Sequence, residues 1–287
     1  MTSPRTLDAL RSRRDIRHAR SSPDSLNRSS SALLIAVLLT AILAFVAVLP
    51  AAASAAFAED GVSKVAPQGT PPPAGPDLDI EKATVRYHDD LDLLVFEVDV
   101  VGVAGRTVPE PRGSMDGAPV LGYVFPTTLE PRSVGFSGGE GVVALAVTAH
   151  PDFDDTPLWD ENRNRRYDDD GVVFHTHWVV LVPDQRVAGG LAVAEIGESQ
   201  IAEILPPTNP GMPMLLDSPG YSVVLRGDTL KVLVPAARLY GEPDFRYDAV
   251  TAYMEVGPGA DRPLLGVYQV YEVLSGDLSL PYRIERE

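Results

Sequence analysis

Three of the chain's five histidines, His150, His175 and His177, bracket a single connection, and imidazoles grouped in this way are the residues best suited to hold a transition metal. His175 and His177 form an H-x-H pair inside the apolar stretch VVFHTHWVVLV, residues 172–182. Side chains alternate faces along a strand, so His175 and His177 share one side with Val173, Val179 and Leu181. Phe174, Thr176 and Trp178 fall on the other. The aromatic side is expected to face the core, which leaves the histidines on an opposite, half-polar face. Two imidazoles spaced roughly 6 to 7 Å along a strand can share one zinc or copper ion. His150 is the natural third ligand, because it ends the preceding apolar run and the intervening chain returns beside His175. Asp152, Asp154, Asp155 and His88 are the reserves. In a plain antiparallel register His150 lies nearer Val172 than His177, so a three-histidine site has to overcome that offset.

The connection itself, about 21 residues from His150 to Val172, is long for a compact domain, where about 4 to 6 is typical. It carries eight acids against three arginines, and crowded carboxylates repel one another unless a cation sits among them. Within it, Asp160-x-Asn162-x-Asn164 followed by Asp168, Asp169 and Asp170 resembles the calcium loops of the EF-hand and of dockerin or thrombospondin-type repeats. That resemblance implies calcium held by Asp160, Asn162 and Asn164 at the first, third and fifth positions. The Arg166 carbonyl would take the seventh and Asp168 the ninth, as calcium's demand for six to eight oxygens requires. Arg165 stands where such loops turn on glycine, and Gly171 where they place glutamate, so Asp169 or Asp170 would supply the last carboxylate. Trp159 and Tyr167 could stack on a sugar or pin the loop to the domain.

No G-x-S-x-G, H-E-x-x-H or phosphate-cradling G-x-x-x-x-G-K-[ST] is present, and there is no cysteine nucleophile. Basic strips interleaved with aromatics are absent as well, which argues against a nucleic-acid partner. The residues therefore favour an exported, non-catalytic protein that binds a metal ion between His150 and His177, by histidines for copper or zinc, by the acidic loop for calcium, or by both. The alternatives are a secreted metalloenzyme using His150, His175 and His177, and an adhesion or ligand-binding module with a structural calcium loop.

These residues need strands to position them. From Ile80 onward the apolar residues come in short runs rich in Val, Leu, Tyr and Phe, separated by Gly, Pro and Asp clusters. Ten strands are expected, at 82–88, 93–103, 119–125, 141–149, 172–182, 190–196, 221–226, 229–234, 249–256 and 264–273. Gly227-Asp228 reads as a tight hairpin turn between two of them. Helical patterns do not alternate with the strands, so the expected fold is all-β: an antiparallel two-sheet β-sandwich, Ig-like or jelly-roll-like, over residues 80–287.

Two segments precede that domain. Residues 1–58 have the layout of an export signal: seven arginines, then the apolar run Ala32 to Leu49, then Ala56-Phe57-Ala58, an A-x-A pattern placing cleavage before Glu59. Retention as a membrane anchor through residues 32–49 is the alternative. Arg13-Arg14 resembles a twin-arginine export motif. Residues 59–79, rich in Pro and Gly, read as a disordered linker. The mature protein would then be periplasmic or extracellular, free of the membrane unless the leader is retained. With no cysteine, disulfides and a lipid-anchored N-terminus are excluded. Cleavage leaves 17 basic and 37 acidic residues, a formal charge of −20 that favours cations over nucleic acid or anionic lipid.

Overall fold

The structure, a computed structural model, describes residues 64–110, 115–151, 160, 162–166, 172–240, 243–257 and 259–287. All of them belong to one compact unit, Gly61–Glu287. The export segment and its apolar run lie outside the described residues, as do Asp152, Asp154, Asp155, Trp159, Tyr167, Asp168, Asp169 and Asp170. Among the described residues no helix is long and apolar enough to cross a membrane.

The strands are β1 (Ile80–His88), β2 (Leu93–Val100), β3 (Pro119–Pro126), β4 (Val142–Ala149), β5 (His175–Pro183), β6 (Leu191–Val193), β7 (Leu216–Asp217), β8 (Ser222–Arg226), β9 (Thr229–Pro235), β10 (Arg246–Tyr247), β11 (Val250–Val256), β12 (Leu265–Val273), β13 (Tyr282–Arg283) and β14 (Glu285–Arg286). Helix among the described residues is confined to the four-residue α1 (Ile201–Ile204) and short 3-10 turns. The all-β expectation holds. Its ten strands are present, and the four additional ones, β7, β10, β13 and β14, are two-residue ladders too short to show alternation.

Five strands form a sheet in the order β14-β1-β2-β9-β8. Its β8–β9 hairpin turns at Gly227-Asp228 as expected, with Arg226 opposite Thr229. Gly227, at φ +63°, supplies the left-handed residue that a two-residue connection needs. The second sheet departs from the expected open leaf of a sandwich. Strands β3, β4, β5, β6, β12 and β11 pair in sequence, and β11 pairs back onto β3, so the sheet closes into a six-stranded barrel. Closure removes the solvent face that a sandwich sheet would keep. Strands β3 and β11 are buried along their whole length and β4 along all but its first residue, which is why they read as nearly continuous apolar runs.

The open sheet lies against the outside of the barrel, and the two share a core. Phe96 of β2 stands at its centre. Its ring meets Phe125 edge-on at 5.4 Å, Trp178 edge-on at 6.3 Å, and Phe245 in a stack at 6.0 Å. Odd-numbered residues of β4 (Val143, Leu145, Val147) and even-numbered residues of β5 (Trp178, Val180) point outward into this layer. The alternate residues, Ala144 and Ala146 of β4 and Val179 and Leu181 of β5, point into the barrel. Phe174 and Trp178 thus face the main core, as the alternation requires.

Residues 64–79, within the stretch read as a linker, carry no periodic pattern but are fixed by individual contacts. The Glu255 carboxylate, fully buried on β11, accepts the backbone N–H groups of Gln68 and Gly69, each at 2.6 Å. The Tyr271 hydroxyl donates to the Pro72 carbonyl at 2.8 Å, and Leu78 is buried against Tyr253.

Candidate metal centre

Strands β4 and β5 are direct antiparallel neighbours, with Ala146 opposite His177 and Thr148 opposite His175. His150 follows the end of β4, and continuing that register sets it across from residue 173, the offset expected from the sequence. The offset does not keep it away. His175 and His177 share the inward face with Val179 and Leu181, and His150 turns inward in the same sense, so three long side chains meet inside the barrel. The ring centroids lie 4.6 Å apart for His150 and His175, 4.6 Å for His175 and His177, and 5.8 Å for His150 and His177. One ligand nitrogen from each residue falls within 4.8 Å of the other two. The group could hold a metal ion.

The expected half-polar face is corrected by this placement. His150, His175 and His177 are 2%, 5% and 3% exposed, so the trio sits inside the protein. The reason is closure of the barrel: the second face of β5, which an open sheet would show to water, looks into the interior.

Hydrogen bonds set the tautomers. Nδ1 of His150 lies 2.8 Å from the Pro151 carbonyl, and Nδ1 of His175 lies 2.7 Å from the Val173 carbonyl. A carbonyl only accepts, so in both rings Nδ1 carries a proton, and in the neutral form Nε2 carries the lone pair. Those two Nε2 atoms are 3.0 Å apart. In neutral rings this sets lone pair against lone pair, and a cation between them relieves the contact. A tetrahedral zinc, with bonds of about 2.0–2.1 Å, spaces its ligand nitrogens roughly 3.3–3.4 Å apart, so a small rotation of the rings would admit it. His177 is oriented from the far side, with Nδ1 2.9 Å from the Ser218 hydroxyl. Burial, reinforced by the neighbouring His175 and His150, holds the His177 imidazole well below its usual pKa and therefore neutral, the form that binds metal.

Ser218 gave no signal in the sequence. It follows β7, which pairs with β5 through Trp178–Asp217 and Val179–Leu216 and so carries Ser218 to the level of His177. Asp217 bonds to the Thr208 hydroxyl at 2.6 Å, while Leu216 beside it lines the barrel interior.

Among the described residues, the other expected ligands are engaged elsewhere. Asp160 accepts the Asn164 and Arg165 backbone N–H groups at 3.0 and 2.7 Å, Asn162 accepts Asn164 N–H at 3.0 Å, and Asn164 accepts Arg166 N–H at 2.7 Å. The Asp/Asn spacing thus builds a tight turn, with Arg163 and Arg165 in the left-handed region at φ +63° and +71°. Asp168 and Asp170 lie outside the described residues. His88, a reserve ligand, sits on β1 with Nδ1 3.6 Å from Glu287. Among the described residues, the histidine trio is the one group of three His, Asp or Glu side chains gathered closely enough to share an ion.

Fold and site together define a β-barrel protein with a buried tri-histidine cluster. No protein-family model, curated protein or solved structure matches the chain.

Proposed function

We propose that the chain is an exported metal-binding protein in which His150, His175 and His177 hold one zinc or copper ion inside the barrel. The supporting observation is the 3.0 Å approach of two Nε2 atoms whose Nδ1 partners both face carbonyls. Three buried imidazoles suit these borderline metals, whereas calcium and magnesium take oxygen ligands. The test is calorimetric titration with Zn²⁺, Cu²⁺ and Ca²⁺, comparing the protein with its His175→Ala/His177→Ala variant. One saturable micromolar or tighter site for Zn²⁺ or Cu²⁺, lost in the variant, is expected. Absence of that site overturns the reading. Calcium binding that survives in the variant would instead assign an ion to the loop containing Asp160, Asn162 and Asn164.

A second reading, a metalloenzyme, draws support from the cavity beside the trio. His150 and His177 line it, so a bound ion would keep a coordination position facing the barrel interior, as catalytic sites with three protein ligands do. Cobalt substitution tests this: an exchangeable fourth ligand in the spectrum supports it, and a closed four-ligand site overturns it.

A further inference from the structure

The barrel interior is not filled. It encloses an apolar cavity of about 220 Å³, lined mostly by Val, Leu, Met and Ala side chains, and among the described residues no acidic, Lys or Arg side chain lines it. Six-stranded barrels are narrow enough for side chains to fill them, so the space has specific causes. Ala146 and Ala252 put only small groups inside. A Cβ at Gly122 would come within 2.9 Å of the Thr148 methyl group, so the glycine lets Thr148 pack closely against β3 at the inner end.

The two ends of this cavity differ. At the inner end stand His150, His177 and Thr148. Thr148 is 3% exposed, and its hydroxyl has no hydrogen-bond partner. A buried hydroxyl left unpaired is costly, and this one sits on the cavity wall beside the histidines. At the outer end Val142, Val270 and Leu278 line the cavity and are also exposed, an apolar rim facing water. Leu278, together with Leu280, belongs to the segment between β12 and β13. Both leucines adopt left-handed backbone, φ +57° and +53°, a conformation that L-residues other than Asn and Asp rarely take. Their side chains are held at the cavity mouth against that preference. Strained positions of this kind are characteristic of ligand clamps.

We propose that the barrel cavity binds a small, mostly apolar carboxylate, entering past Val142, Val270 and Leu278, with its carboxylate accepting a hydrogen bond from the Thr148 hydroxyl and completing the coordination of the metal ion. This rests on the metal reading above. Charge selects the carboxylate: imidazole ligands bring no negative charge to a divalent ion, and among the described residues no acidic side chain lines the cavity to offset it. Size follows from volume. A cavity of about 150 Å³ admits benzene, so 220 Å³ accommodates roughly nine non-hydrogen atoms, the size of benzoate.

The experiment titrates the full chain, metal-free and zinc-loaded, with benzoate and with toluene. Zinc-loaded protein is expected to bind benzoate at least tenfold more tightly than the metal-free form does, and toluene with no such dependence. Thr148→Val should weaken benzoate binding about tenfold, and Ala252→Leu should abolish it by filling the cavity, both with zinc affinity retained. Zinc binding without benzoate binding overturns the ligand inference and leaves the metal site standing. Equal benzoate affinity with and without zinc overturns the coordination, and an unchanged affinity in Thr148→Val, which is close to isosteric and tests the site even if Ala252→Leu fails to fold, overturns the role of the Thr148 hydroxyl. Absence of both zinc and copper binding defeats the metal reading instead.

Discussion

His150 and His175 stand 25 residues apart in the chain, yet their Nε2 atoms approach to 3.0 Å inside a closed barrel, with both Nδ1 atoms turned to backbone carbonyls. The pairing of β4 with β5 makes this possible. It sets Thr148 opposite His175 and leaves His150 just beyond the strand end, free of the pleat and able to turn toward the partner ring.

Removing one ring should remove the site. His175→Ala is expected to lower zinc or copper affinity at least 100-fold, read by competition with a chromophoric chelator. In the wild-type protein, metal at 100 times its dissociation constant should stabilise the fold by about 2.7 kcal/mol, and excess chelator should reverse that gain in a thermal melt.

Ser218 orients His177 without belonging to the trio. Ser218→Ala should reduce metal affinity about 10-fold, the low end of what loss of a ligand's hydrogen-bond partner costs. Ser218→Thr, which keeps the hydroxyl, should restore most of it. A Ser218→Ala protein with wild-type affinity would show that packing alone sets the ring.

Thr148 predicts a change in the opposite direction. Its unpaired buried hydroxyl is a destabilising feature, so Thr148→Val should raise the stability of the ligand-free protein by about 1 kcal/mol, measured by urea denaturation.

Phe96 joins the open sheet to the barrel through three aromatic contacts. Phe96→Ala should cost about 3–5 kcal/mol, enough to unfold a domain of ordinary stability. Phe96→Leu should be far milder, and the comparison can be read from denaturant midpoints.

Glu97 supplies one pH-dependent part of stability. Its carboxylate on β2 bonds to Lys231 of β9 and Arg86 of β1, both at 2.9 Å. Burial raises its pKa, but the two cations outweigh burial and hold it below the usual value. A carboxylate whose pKa falls on folding adds stability above its unfolded pKa and loses it as pH drops through the folded one. Glu97→Gln should therefore lower stability by about 0.5–1 kcal/mol at pH 7, with the difference fading below about pH 4. A constant difference from pH 7 to pH 3 would rule out the ionic origin.

The ten main strands, the Gly227-Asp228 hairpin and the shared face of His175 and His177 could all be read from the chain. Each depends on a period of two residues or on the φ preference of one glycine, and such properties are local. What lies opposite a strand's second face is not a local property. Alternation puts His175 with Val179 and apart from Trp178 whether that face meets water or protein. The pairing of β11 with β3, between residues more than 120 positions apart, closed the barrel and turned a half-polar face into a buried one. That long-range pairing brought Ala252 and Gly122 side by side and, with the β4–β5 ladder, set the three histidines, Thr148 and the apolar cavity around one point.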